Sequence, residues 1–535
     1  MLNSGRAQKF NLPFRRRPLP TRSAQMAEAQ VQGSGAFASW AAAVTRFSRD
    51  RESGIYVLAL LVSISTWFIV IRAPLWLDET VSLFLIKDGF AGILSRQIWP
   101  DSPAYSCLLW LWTKAMGTGE IMLRVSSVLP MLAAVYLVYL AARELFDRDV
   151  AIIAAIVFCL HPIIIFAAID VRPYSFAALA INATILTLIH LRHNNSNWLA
   201  ALFGLLAAGI VEFQLLFAAV LPALAICFIV SKLDNRRALW RQLSIALVVF
   251  SIACLPAIPR LEYMMHTSST HVFSEAPRLV QLLSTISIRG LGIVLVVFVL
   301  GAAFRKRLDV KPDGWTVLLC TSLALVPLVI LFVLSVGTSV HVFVPRYRLV
   351  AVPGIALCWA LVVSWISSRG LRLLFCIALV VVAACVCFTA ASFHHHMYSW
   401  KYALAFAEKN ASADGAPMLI CSDIPEADYM RMPVGSAIEE SGILPPLSYY
   451  KLTVPVTPLP RSLNEEAMRA GSEFLQLQSQ RHERFLALAF VESYGTLDWL
   501  RNQAAGTYNV RELGAFDGVK VLEFAPCGGR QGPLS

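Results

Sequence analysis

Charge is what this sequence has least of. Of its 535 residues, 15% are Asp, Glu, Lys or Arg and 57% are hydrophobic, whereas an ordinary soluble chain is roughly 25% charged. Mean hydropathy is +0.64. Together these values exclude an ordinary cytosolic enzyme and place the chain in the membrane class. No glycine-rich phosphate loop is present, so a mechanism driven by ATP or a nucleotide sugar at such a loop has no support. No repeat of solenoid period is present either. Cysteine forms no zinc or disulfide framework. Of the 11 Cys, Cys159, Cys227, Cys254, Cys320, Cys358, Cys376, Cys385 and Cys387 lie inside apolar runs, where they serve as small apolar residues.

The charges that are present sum to +11, from 45 Lys and Arg against 34 Asp and Glu. A nucleic-acid binder would gather them on one face between aromatic residues. Here they form short clusters between apolar runs, which is a signal of membrane topology, and no nucleic acid is expected as a partner. Residues 1–54 are polar and basic, and no apolar stretch closely follows Arg15-Arg16-Arg17. They read as a disordered cytoplasmic tail.

A spanning helix needs about 20 mainly apolar residues. The sequence offers eleven candidates, near 55–71, 120–141, 149–169, 174–191, 198–211, 214–231, 242–258, 289–304, 315–336, 347–366 and 371–392. With the basic tail inside, the loops around Arg143–Arg148, Arg192, Lys232–Arg241, Arg305–Lys311 and Arg369–Arg372 all become cytoplasmic, and one span more or fewer would spoil that pattern. Pro103–Met116 is too short to cross. It reads as an interfacial helix in the outer loop 72–119, with Trp110 and Trp112 at headgroup depth. Beyond 393, charge, Pro and Gly return. Strand-length runs at 417–421, 485–490 and 519–524 alternate with helical patterns at 400–409 and 464–480, so 393–535 is expected to be a small extracytoplasmic α/β domain. Its Cys421 and Cys527 are compatible with a disulfide or with two free thiols.

Charged residues beside a bilayer are costly, so the outer loops are where function is sought. Asp78 and Glu79 stand just past the first span. They suit a general base, a divalent-metal ligand or an ordinary helix-capping pair. Asp101 either caps the interfacial helix or has a functional role. Asp170 and Arg172, in the turn Asp170-Val171-Arg172-Pro173-Tyr174-Ser175, form either a mutual ion pair or a phosphate site. Arg346 and Arg348, in Pro345-Arg346-Tyr347-Arg348, break the positive-inside tendency, through an anionic partner or by snorkelling to lipid phosphates. Glu212 reads as a lone outer carboxylate. His266, His271 and Glu275 match no metal spacing.

The ordered set Leu77-Asp78-Glu79, Asp101-Ser102-Pro103-Ala104-Tyr105, Glu120…Leu123-Arg124-Val125-Ser126-Ser127 and Asp170-Val171-Arg172-Pro173-Tyr174-Ser175 resembles the GT-C glycosyltransferase superfamily. Pro345-Arg346-Tyr347 ahead of an apolar span with Pro353 extends the likeness. More narrowly, the chain is similar to the bacterial branch related to protein O-mannosyltransferases and to the lipid A aminoarabinose transferase, glycosyltransferase family 39-like. The likeness covers roughly 55–366.

This resemblance implies a polytopic α-helical membrane enzyme of the bacterial inner membrane, with its active site and C-terminal α/β domain in the periplasm. It implies transfer, with inversion, of a sugar from a polyprenyl-phosphate carrier to a glycan, lipid or protein acceptor. Asp78 would be the catalytic carboxylate with Glu79 beside it. Asp101, Tyr105, Asp170, Arg172, Tyr174, Arg346 and Tyr347 would line the substrate cleft, with Arg346 toward the carrier phosphate. No cofactor is implied beyond a divalent metal ion whose need is open. The chain departs from relatives in carrying Asp101 where a His is frequent, and Val211-Glu212-Phe213 where Thr-His-Tyr-like residues are usual. A transporter or flippase for a lipid-linked saccharide is the alternative, although neither internal pseudo-symmetry nor midplane broken helices stand out.

Overall fold

A computed structural model describes residues 53–95, 102–233, 235–267, 276–288, 291–309, 312–339, 341–389, 400–434 and 443–527. The basic tail to residue 52, Asp101, His271 and Glu275 lie outside these residues. Helices fall at every position expected of a span. They are α1 (Ser53–Ile69), then three helices of the first loop, α2 (Leu77–Leu85), α3 (Gly89–Ser95) and α4 (Pro103–Met116), followed by α5 (Glu120–Leu145) and α6 (Arg148–Leu160). A short α7 (Pro162–Ala167) precedes α8 (Tyr174–His193), α9 (Asn197–Phe213), α10 (Leu221–Ser231), α11 (Arg236–Ala253) and α12 (Ile258–Thr267). The remainder of the bundle is α13 (Leu279–Ile286), α14 (Gly292–Phe304), α15 (Gly314–Gly337), α16 (Pro345–Arg348) running on into α17 (Val352–Ser364), and α18 (Arg369–Thr389).

Four of these are long and apolar enough to cross a membrane unaided: α5, α8, α15 and the continuous Pro345–Ser364. The pair α11 and α12 passes together but bends by 45°. The other candidates are shorter or broken, so the count of eleven rests on the charge pattern rather than on helix length. Val297, Leu325, Val329 and Val333 point outward and stay exposed, as hydrocarbon-facing residues do.

The loops expected to be cytoplasmic are tied to one another. Arg372 pairs with Asp147 at 2.5 Å and Arg369 with Asp149 at 3.1 Å. Arg192 pairs with Asp313, the N-cap of α15. Lys232 Nζ donates to Asn195 Oδ1 at 2.9 Å. The 26-residue α5 separates this end from the loop 72–119 by about 39 Å, at 1.5 Å per residue.

Close approach within the bundle needs small residues. A Cβ on Gly354 of α17 would lie 2.3 Å from Ala324 N and Leu323 C of α15. Gly354→Ala is therefore expected to wedge the two helices apart at a cost of about 1–3 kcal/mol and to lower the folded yield several-fold in detergent size-exclusion chromatography. Gly301→Ala, which meets nothing within 4 Å, is expected to leave that yield unchanged.

Residues 400–527 hold α19 (Trp400–Ala411), β1 (Met418–Cys421), α20 (Pro445–Tyr449), β2 (Val456–Leu459), α21 (Glu465–Arg481), β3 (Phe485–Phe490), α22 (Tyr494–Gln503), β4 (Tyr508–Phe516) and β5 (Val519–Pro526). The sheet order is β2-β1-β3-β5-β4. The first three strands are parallel and the last two antiparallel. Asp517 (φ 44°) and Gly518 (φ 93°) close the β4–β5 hairpin as a two-residue turn, the conformation an Asp-Gly pair favours. Cys421 is buried on β1 and Cys527 exposed beyond β5, both free thiols. The core of this region also takes in Leu77, Val81 and Leu85 of α2, so the sheet is packed onto the first loop of the bundle.

Candidate active site

The site is built on the first turn of α2. Trp76 precedes it in extended conformation, and its backbone N–H donates to Glu79 Oε2 at 3.1 Å. This capping turn sends the two adjacent carboxylates in different directions. Glu79 turns inward and is fully buried. Arg124, on the first turns of α5, donates to it from Nη2 at 3.0 Å and Nε at 3.3 Å. Val171 N adds a bond to Oε1 at 3.1 Å. The same guanidinium donates to the carbonyls of Ile71 at 2.8 Å, Pro74 at 3.0 Å and Ala73. Burial raises the Glu79 carboxyl, and Arg124's charge opposes the rise. Both Glu79 oxygens are occupied, so this carboxylate holds the chain around Asp78 in place.

Asp78 turns outward. Arg346 Nη1 donates to its Oδ2 at 2.6 Å, with about a quarter of each side chain exposed. Arg346 also lies 5.4 Å over the ring of Tyr347. Arg172 reaches the same turn from the α7–α8 connection, donating to Asp78 O and Ser82 Oγ, each at 3.3 Å. Asp170 is fully buried beneath them. Its Oδ1 accepts from Trp76 Nε1 at 3.0 Å and its carbonyl from Ser127 Oγ at 2.6 Å. Burial, then Glu79's charge, raise the Asp170 carboxyl well above the ordinary carboxylate range.

The aromatic members of the expected site lie deeper. Tyr105 is 2% exposed, edge-on to Phe176 at 5.9 Å. Tyr174, also 2% exposed, stacks on Phe217 at 6.4 Å. Both rings belong to the packing under the cleft, while Tyr347 stays half-buried beside Arg346. The cap of α4 is Ser102, whose Oγ accepts from Tyr105 N at 3.1 Å, in place of the expected Asp101. Glu212 has a partner. Arg260 Nη1 meets its Oε1 at 3.1 Å and its carbonyl at 2.8 Å, and Ser102 Oγ donates to it at 3.3 Å. Arg348 is held apart from Asp78, donating to Thr285 Oγ1 at 2.6 Å and Gln281 O at 3.1 Å. Among the described residues no group of three His, Cys, Asp or Glu side chains has the spacing of a metal site.

Sequence reading quoted Glu120 and Arg124 within the family pattern without giving either a role, and it did not foresee the docking of the C-terminal sheet. Glu120 accepts from Lys401 Nζ at 2.9 Å and from Tyr450 Oη at 2.9 Å, and Tyr450 Oη accepts from Leu75 N at 2.9 Å. Arg124 had a signal, as a guanidinium one turn into a helix whose next 18 residues carry no charge. Lys401 and Tyr450 had none.

Residues 100–262, just under a third of the chain, match the family model of dolichyl-phosphate-mannose-protein mannosyltransferase. No curated relative matches by sequence. Among solved structures, ArnT from Cupriavidus metallidurans in the apo state superposes with a TM-score of 0.53 at 13% identity, over 88% of this chain and 98% of that one. The chain has the GT-C glycosyltransferase fold. ArnT bound to undecaprenyl phosphate gives 0.50 at 14% identity, over 90% of this chain and 100% of that one. The Archaeoglobus fulgidus oligosaccharyltransferase gives 0.48 at 12% identity, over 87% and 73%. The two ArnT superpositions, over 88% and 90% of this chain, take in the bundle and the C-terminal sheet alike.

Proposed function

We propose that this chain is a periplasmic-facing membrane glycosyltransferase that moves one sugar from a polyprenyl-phosphate carrier to an acceptor hydroxyl or amine. The observation that carries the reading is the meeting of Asp78 and Arg346, 268 residues apart in sequence, at 2.6 Å beside Arg172. A sugar activated as a phosphodiester needs a base for its nucleophile and positive charge for the departing phosphate. Asp78 supplies the base and Arg172 and Arg346 the charge. The guanidiniums of Arg172 and Arg346, brought to one turn, suit a carrier phosphate, and ArnT, of the same fold, has been solved with undecaprenyl phosphate.

Arg346 has two roles in turn. Without donor it neutralises Asp78. When the carrier phosphate arrives, the guanidinium shifts to it and the carboxylate is left to take the acceptor proton. The acceptor oxygen or nitrogen attacks the anomeric carbon, the bond to the carrier oxygen breaks, and the phosphate leaves with the electron pair. One displacement gives inversion.

The test is mass spectrometry of lipid-linked sugars and envelope glycans in cells with and without the protein. A carrier-linked sugar that accumulates, with one glycan decoration missing, names donor and acceptor. Unchanged pools and glycans sink the reading. Arg346→Ala is expected to weaken binding of undecaprenyl phosphate to the purified chain at least about tenfold, or 1.4 kcal/mol, as followed by tryptophan quenching.

A further inference from the structure

Three parallel strands of the C-terminal sheet end side by side. β1 leads into Asp423, β2 into Arg461 and β3 into Glu492. From β1 the chain moves to β2 on one side and then crosses to β3 on the other, so the winding reverses between β1 and β3. The crevice outside the carboxyl ends of strands at such a reversal is where open α/β sheets bind ligands.

Asp423 stands at that reversal and is 5% exposed. Its Oδ2 accepts from Trp400 Nε1 at 2.7 Å. Its Oδ1 is buried and has no hydrogen-bond partner among the described residues. A buried acceptor left without a donor is rare and calls for an explanation. Arg461 is paired with Glu492 across the crevice, and its guanidinium lies 5.9 Å over Phe490. These strand ends lie near Asp78: α2 packs Leu77, Val81 and Leu85 into this domain's core, and the charge of Asp78 acts on Asp423. Burial pushes the Asp423 carboxyl up to about 7, and the charge of Asp78 adds to the rise.

We propose that Asp423 anchors an acceptor subsite, in which its free oxygen bonds a hydroxyl of a neutral glycan and presents a neighbouring hydroxyl to Asp78. The proposal rests on the transferase reading above and extends it to the acceptor class. A carboxyl that titrates near neutrality both donates and accepts, as a sugar hydroxyl does. An anionic acceptor would face Asp78 and Glu492. A cationic one would need Asp423 ionised where burial opposes it. The crevice's own guanidinium is already paired with a carboxylate, which leaves a neutral polyol as the matching chemistry.

The test uses the full-length chain in detergent with two probes: an array of neutral oligosaccharides built from hexose and N-acetylhexosamine units, and undecaprenyl phosphate. Wild type is expected to retain members of the array. Asp423→Asn keeps an oxygen for Trp400 and is expected to bind them at least tenfold more weakly, with unchanged affinity for undecaprenyl phosphate. Asp423→Ser, which removes the carboxyl without adding bulk, is expected to behave alike and guards against a folding defect in the first variant. The subsite is overturned if wild type retains no neutral glycan, if both Asp423 variants bind as wild type does, or if they lose undecaprenyl phosphate to the same extent. Glycan binding without any change of lipid-linked sugars in cells would leave the subsite standing and sink the transferase. Transfer with acceptor affinity untouched in both variants would do the reverse.

Discussion

Asp78→Asn is expected to yield a folded, membrane-inserted chain whose transfer rate falls about 1,000-fold, within the range a positioned general base supplies. The substitution is nearly isosteric. Its remaining oxygen still accepts from Arg346, so the geometry of the 2.6 Å contact survives while the proton-accepting charge is lost. The fold should hardly notice. Each partner is about a quarter exposed, and an ion pair that solvent reaches to that degree contributes no more than about 1 kcal/mol. The readout is product glycan per mole of enzyme by mass spectrometry, beside the melting temperature of the purified chain. A turnover within threefold of wild type removes Asp78 from the base role. The same variant separates enzyme from conduit. A flippase would still move the lipid-linked sugar across the bilayer with that proton acceptor gone, whereas a transferase leaves the sugar on its carrier.

The parts of this molecule legible in the sequence are those set by one local variable. Apolar run length placed the bundle helices, and the alternation of basic loops assigned their ends. The ion pairs Arg372–Asp147 and Arg192–Asp313 now show those loops gathered at one end. Strands β1, β3 and β5 were legible as short apolar runs. β2 was not, because Pro458 interrupts it. Proline is tolerated there because β2 is an edge strand. β4 was hidden by Arg511 and Glu512, charges that suit the other edge of the sheet. In the site, Asp78, Arg172 and Arg346 were legible because charge beside a bilayer is conspicuous. The adjacency of Asp78 and Glu79 misled: one capping turn sends one carboxylate to the cleft and buries the other under Arg124. Tyr105 and Tyr174 carried the family pattern, but their side chains went into packing. Asp423 had no signal, since its significance lies in where β1 ends relative to α2.

Arg124→Met is expected to unfold the first loop or to lower stability by about 3–5 kcal/mol, the usual cost of leaving one partner of a buried ion pair uncompensated. Both side chains are fully buried at 3.0 Å. Removing the guanidinium strands the Glu79 charge and the carbonyls of Ile71, Ala73 and Pro74 together. Glu79→Leu is expected to cost a similar amount, because it strands the guanidinium and the N–H groups of Trp76 and Val171. The double variant should cost less than the sum of the two by at least about 2 kcal/mol, since two apolar side chains replace two charges and neither ion is left alone. Thermal melting of the four purified proteins gives that coupling directly, and additive losses would show that the pair is not a unit. Activity should not recover in step with stability. In the double variant nothing clamps the carbonyls that lead into α2, so Asp78 loses its fixed position facing Arg346. A misplacement of about 1 Å costs on the order of 100-fold in rate. A refolded but slow double variant would therefore place Arg124 and Glu79 as positioning residues for the chemistry above them, and a fast one would reduce them to ballast in the fold.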